Sequence, residues 1–98
     1  AAGELARKGG KVVIFESLHK SGGALRYGIP QFRLPDEVLD FEIDYLKQSG
    51  VKIVNNFVAG KTVLLDDLFD QGFKSVFLGT GAGTPKFLGI KGEGLNNV

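Results

Sequence analysis

Val12-Val13-Ile14-Phe15 is an uninterrupted apolar run that stops at Glu16. A strand with one wet face alternates apolar and polar residues, whereas a run without alternation reads as a strand covered on both faces, the condition of a parallel sheet. Ser75-Val76-Phe77-Leu78 repeats the pattern and runs straight into Gly79-Thr80-Gly81-Ala82-Gly83. Between the two, Val51 and Ile53 alternate with Lys52 in a further strand that extends to Phe57. Strands are therefore expected at 12–16, 51–58 and 75–79.

Helical signals separate them. Residues 1–8, AAGELARK, set Ala and Leu against Glu4, Arg7 and Lys8, with Gly9-Gly10 as the stop. Pro35 followed by Asp36 and Glu37 starts a second helix, because proline suits the first turn and acids suit the positive end of the dipole. Val38, Leu39, Ile43 and Leu46 recur at helical spacing, flanked by Phe41 and Tyr45, until Gly50 ends the run. A short helix around Asp66 to Asp70 stops at Gly72, with Asp66-Asp67 read as helix-start acidity. Residues 17–34 hold no period and contain Gly22-Gly23, Gly28 and Pro30; loops longer than about 12 to 15 residues are usually functional or disordered. From Thr84 to Val98 the chain is glycine-rich, with Pro85 and no periodic element. The alternation describes one α/β layered domain over 1–98, with parallel strands joined by crossovers and no repeat or linker.

Composition excludes several functions. Twelve Lys and Arg against eleven Asp and Glu leave a net charge of +1, and the basic residues are scattered, so nucleic acid is not an expected partner. No apolar run approaches the roughly 18 residues of a membrane span, and the N-terminus lacks signal-peptide order, so a cytoplasmic protein is expected. With no cysteine and one histidine, the sequence holds no disulfide, no iron–sulfur ligand and no expected metal site. His19 reads as an exposed loop residue, and Phe32, Phe41 and Tyr45 read as core. No residue is assigned as acid, base or nucleophile.

In parallel α/β sheets ligands gather at the carboxyl ends of the strands. Glu16 stands there, either as an acceptor for ribose hydroxyls or as a solvated strand-end acid. In the loop GGALRYGIPQFRLP at 22–35, Gly22 and Gly23 allow main-chain N–H groups to turn toward a phosphate. Arg26 and Arg33 offer charge-assisted hydrogen bonds to a pyrophosphate or to flavin oxygens, and the alternative for the whole stretch is a turn followed by a surface loop. The junction Leu78-Gly79-Thr80-Gly81 permits close approach of a ligand to backbone, as would a plain tight turn.

Taken together, VVIFE, GGALRYGIPQFRLP, LKQSGVKI, FLGTGAG and KFLGIKGEG resemble one family over nearly all 98 residues. The sequence is similar to the FAD-binding part of the glutamate synthase small subunit and its relatives, among them the dihydropyrimidine dehydrogenase flavin domain and NAD(P)H:ferredoxin oxidoreductase subunits. The resemblance implies a flavoprotein oxidoreductase that passes electrons from NAD(P)H through FAD toward iron–sulfur clusters and a partner subunit or domain. It implies that Glu16 binds the adenosine ribose and that Gly23, Ala24 and Leu25 bring backbone to the cofactor. Arg33 would contact FAD, Val58 and Ala59 would meet the adenine edge, and Thr80-Gly81 would lie beside the phosphoribityl region.

Two residues depart mildly from that family: Gly79 stands where alanine is usual, and Lys91 where proline is usual. A larger departure is that the first strand and its G-x-G-x-x-G turn, expected before Ala1, are not in this sequence, nor are the NAD(P)H-binding and cysteine-rich regions. The resemblance thus implies a Rossmann-like parallel-sheet fragment of an FAD/NAD(P)-binding domain. The parent would be the enzyme, and the chain alone is expected to be inactive and without FAD. The competing reading is a non-catalytic structural module that binds no cofactor in isolation; a third is a small NAD-binding domain. The open edges of the strands at 12–16 and 75–79 are expected to pair with each other or with a second copy.

Overall fold

The computed structural model describes residues 1–84 and 86–96. The elements run α1 (Ala2–Arg7), β1 (Val13–Phe15), α2 (Ala24–Tyr27), α3 (Asp36–Gln48), β2 (Lys52–Val54) and α4 (Leu65–Asp70). β1 and β2 pair in parallel, with Val13 opposite Lys52, Ile14 opposite Ile53 and Phe15 opposite Val54. The ladder continues beyond them: Lys52 N donates to Val12 O at 3.0 Å, Glu16 N to Val54 O at 2.9 Å, and Phe57 N to Glu16 O at 2.9 Å. The expected strands at 12–16 and 51–58 are thus present in shorter form.

Three helix ends share one geometry. After α3, Gly50 at φ 90° donates to Lys47 O at 3.0 Å, and Val51 N reaches back to Leu46 O at 3.2 Å. This paired closure satisfies carbonyls that the helix end leaves open, and it requires a residue at ease with positive φ. Gly9 and Gly10 close α1 onto Ala6 O and Leu5 O, while Gly72 and Phe73 close α4 onto Phe69 O and Leu68 O. At the other end of α3, Gln31 Oε1 accepts from Asp36 N at 3.0 Å. Asp67 caps α4 by accepting from Leu64 N at 3.1 Å, the role expected of helix-start acidity.

The core is small. Leu39, Val51 and Leu68 are the buried apolar residues among those described. Beside them, Phe15 stacks on Phe57 with ring centroids 4.2 Å apart and meets Phe73 edge-on at 5.8 Å. A radius of gyration of 16.6 Å exceeds the roughly 13 Å of a compact domain of this length. Much apolar surface therefore stays uncovered.

Four expectations are corrected. Residues 75–79 form no strand: Phe77 is 78% and Leu78 62% exposed, and they pair neither with β1 nor with β2. A strand exists through its neighbour's N–H and C=O groups, and among the described residues 75–79 join neither outer edge of the two-stranded sheet. Phe32, Phe41 and Tyr45 are exposed instead of core. The loop 17–34 contains the single-turn helix α2. The fourth correction concerns Arg26, described below. Residues 86–96 carry no helix or strand, as expected, while Pro85 and residues 97–98 of that stretch lie outside the described residues.

Candidate functional site

Because β1 and β2 are parallel, their carboxyl ends lie side by side, and the residues that follow them meet. Glu16 is held on both sides of its peptide by the ladder, and its C=O accepts from Phe57, one residue before Val58. The structure thereby brings Glu16 and the Val58-Ala59 segment together. Glu16 is half-buried as a residue. Its Oε1 accepts from Leu18 N at 3.0 Å and from Ser17 Oγ at 3.4 Å, and Oε2 has no hydrogen-bond partner among the described residues. The Glu16 side chain therefore keeps acceptor capacity for a hydroxyl pair.

The loop joins this corner through Asn55, which sequence reasoning passed over. Asn55 Nδ2 donates to Ser21 Oγ at 3.2 Å and to Leu18 O at 3.4 Å, while Asn56 N donates to Leu18 O at 3.1 Å. An asparagine pair just after a strand was the available signal. Ser21 precedes Gly22-Gly23. Gly23 caps α2 at φ 51° and ψ −133°, a conformation closed to other residues, and a Cβ placed on it would meet no atom within 4 Å. Gly23 O accepts from Arg26 N at 3.1 Å and Tyr27 N at 2.9 Å, and Leu25 N donates to Gly22 O at 3.1 Å. The N–H groups of Gly23 and Ala24 have no partner among the described residues.

Val58 N donates to Thr62 Oγ1 at 2.9 Å, and Val58 O accepts from Thr62 N at 2.7 Å and Lys61 N at 3.0 Å. The Ala59 N–H carries no such commitment among the described residues, so it is the freer of the two. Arg33 is exposed, and no ion pair or hydrogen bond engages its guanidinium among the described residues. Thr80 and Gly81 are exposed, with Gly81 at φ 72°, and no hydrogen bond joins either to the rest of the set.

Arg26 is built in. Its Nε donates to Ser21 O at 2.7 Å, its Nη1 lies 3.3 Å from Asp36 Oδ1, and its Nη2 pairs with Asp40. The hydrogen bond that Arg26 donates to Asp40, with the charges of Asp40 and Asp36, holds the guanidinium above the ordinary arginine range. With Nε and Nη2 engaged and the side chain only 5% exposed, Arg26 presents no exposed fork to a phosphate, against the option of a contact to a pyrophosphate or to flavin oxygens. His19 is exposed, as expected. It also faces Tyr27, whose hydroxyl lies 3.1 Å from Nδ1. A concavity of about 220 Å³ separates His19, Lys20 and Asn55 from Asp40 and Lys47. A second, of about 240 Å³, lies between α1 and Tyr45 of α3. Neither is lined by Glu16, Gly23, Arg33 or Ala59. Among the described residues no helix is long and apolar enough to cross a membrane, and no three His, Asp or Glu side chains cluster as metal ligands would.

No family model matches the sequence. Known proteins do. The chain is 42% identical over 93 residues to the NADP(+)-dependent formate dehydrogenase subunit beta of Moorella thermoacetica, covering 95% of this chain and 13% of that protein. It is 43% identical over 86 residues to the NAD-dependent dihydropyrimidine dehydrogenase subunit PreT of Escherichia coli O157:H7, covering 85% and 21%. It is 35% identical over 98 residues to the NADPH glutamate synthase small chain of Bacillus subtilis, covering 100% and 20%. The chain thus spans about a fifth or less of the length of these relatives.

Proposed function

We propose that this chain, which is homologous over most of its length to a segment of NAD(P)-dependent oxidoreductase subunits such as the glutamate synthase small chain, forms part of the FAD site of a larger NAD(P)H-dependent flavoprotein. The observation that carries the reading is the corner at the carboxyl ends of β1 and β2. There Glu16 offers a carboxylate with a free oxygen, and Asn55 ties on the loop whose Gly23 and Ala24 N–H groups are uncommitted among the described residues. That donor and acceptor set fits a ribose diol and an anionic diphosphate.

In this reading residues 1–98 are one incomplete Rossmann-like domain. Glu16 accepts from the ribose hydroxyls. Gly23, Ala24 and Leu25 present main chain to the diphosphate, and Arg33 adds an unpaired guanidinium. Ala59 meets the adenine edge through its free N–H, with Val58 beside it, and Thr80-Gly81 flanks the phosphoribityl chain. FAD, when bound, supplies the acceptance of hydride from NAD(P)H and the onward passage of electrons. The protein's part is position and electrostatics. Onward electrons would go to iron–sulfur clusters outside this chain, in a partner subunit or domain; the names of the relatives include "subunit beta" and "small chain".

The neighbouring of β1 and β2 agrees with a Rossmann strand order in which a further central strand separates β1 from residues 75–79. No G-x-G-x-x-G occurs in this sequence. That central strand and its glycine turn would come from elsewhere in the parent, and its helix N-terminus would be the main anion site. A second reading, a structural module that binds no cofactor by itself, is favoured by the exposure of Phe77 and Leu78 beside the candidate Thr80-Gly81.

The test is a chimera in which residues 1–98 replace the matching segment of the Bacillus subtilis small chain, with the unsubstituted host measured alongside. A yellow, NADPH-oxidising chimera is expected. A folded chimera that carries no flavin overturns the FAD-site reading.

A further inference from the structure

The loop at 21–34 carries two arginines that look equivalent in the sequence. The Arg26 side chain is only 5% exposed, and its guanidinium reaches the Ser21 carbonyl at one end of the loop and the first two turns of α3 at the other. Nη1 makes an ion pair with Asp36 at 3.3 Å but no hydrogen bond in good geometry. Arg33, seven residues on, is exposed.

The two glycines divide in the same way. A Cβ on Gly22 would lie 3.0 Å from Arg26 Cβ and 3.3 Å from its Nε, and the residue sits at φ 131°. Arg26 therefore accounts for the lack of a side chain at Gly22. Among the described residues nothing lies within 4 Å of a Cβ on Gly23.

We propose that Arg26 is a positioning residue and not a cofactor ligand: braced against Gly22 and held by Asp36 and Asp40, it props the Gly23–Leu25 main chain on helix α3 and leaves Arg33 as the loop's cofactor-facing cation. The second half of this statement rests on the FAD-site reading; the first stands without it. A planar fork that makes three contacts at once cannot be replaced by the point charge of lysine. Without the prop, the loop visits its binding geometry only part of the time. The apparent affinity then falls by the fraction of time that the geometry is present, although no contact to the ligand has been removed.

The kinetic consequence separates the two arginines. Losing a prop lowers the rate of productive association and spares dissociation, whereas losing a ligand contact raises dissociation. Amide hydrogen exchange on the chain and stopped-flow FAD binding by the chimera test both halves. In Arg26→Lys, exchange across 22–29 should quicken, and FAD should associate about tenfold more slowly with an unchanged off-rate. Asp40→Asn, which keeps the side-chain shape, should do the same more weakly and add little to Arg26→Gln, since the residues act as one unit. Arg33→Lys should leave exchange untouched and raise the off-rate. Unchanged exchange in both Arg26→Lys and Asp40→Asn overturns the prop. An increased off-rate in Arg26→Lys with normal exchange makes Arg26 a direct ligand and also overturns it. A wild-type chimera that binds no FAD removes the FAD-site reading, and the exchange result still decides the prop.

Discussion

Helices α1 and α3 each close on a glycine turn and lead into a strand, whereas α4 closes on the same turn and leads into residues 74–79, which form none. The local signals are alike: a glycine at positive φ, a doubled backbone closure, then a short apolar run. The difference lies beyond the segment. β1 and β2 have each other, and the third run joins neither of their outer edges. Helix ends are made by residues within six positions, so they follow from sequence; a strand is half of a pair, and its other half is elsewhere.

Core truncation should separate the two regions most sharply. Leu39→Ala, in the α3–β2 unit, should cost about 2 to 5 kcal/mol, enough to unfold much of so small a domain in a urea titration. Phe77→Ala, in the strandless run, should stay within about 0.5 kcal/mol. Equal losses would mean that the third run is packed in solution and would break the comparison.

Next in size is Glu16→Ala in the chimera. Removing a charge-assisted hydrogen bond of roughly 1.5 to 3 kcal/mol should weaken FAD about ten- to a hundredfold. Equal affinity in the rebound apoprotein would leave Glu16 as a strand-end acid capped by Leu18 and Ser17. Smaller still, Gly50→Ala and Gly72→Ala should each lose roughly 1 to 2 kcal/mol, the cost of left-handed backbone for an L-residue. Thermal melts should show the two losses alike, because the turns are alike whether or not a strand follows.

The smallest expected effect is none. The Arg26 pKa is raised in the folded chain, chiefly by its hydrogen bond to Asp40. Its contribution is therefore fully present below the ordinary arginine value and is lost only as pH rises through the higher folded one. The difference in melting temperature between wild type and Arg26→Ala should be the same at pH 7 and pH 9. A difference that shrinks toward pH 9 would mean that another group carries the clamp.

What was legible in the sequence follows the same division. Gly9, Gly50 and Gly72 could be read as stops, and β1 and β2 as parallel strands, because period and punctuation are local. Phe41 and Tyr45 are exposed against expectation because helical spacing says which residues share a face but not whether anything covers it. In the candidate site, Glu16 was legible from its place at a strand end. The bonds of Asn55 to Ser21 and of Arg26 to Asp36 and Asp40 were not, since they join residues 10 to 34 positions apart that only the fold brings together. Charge alone could not tell the engaged Arg26 from the free Arg33.

In the proposed FAD site, residues 75–79 and the Glu16 corner would be two parts of one site, joined by a further strand of the parent protein. Amide exchange at Val76, Phe77 and Leu78, followed together with a flavin fluorescence titration in the chain alone and in the chimera, tests it most directly. Fast exchange and no FAD binding are expected in the chain alone, then slow exchange and FAD binding together in the chimera. A monomeric chain that binds FAD at micromolar strength with 76–78 still unprotected would contradict it.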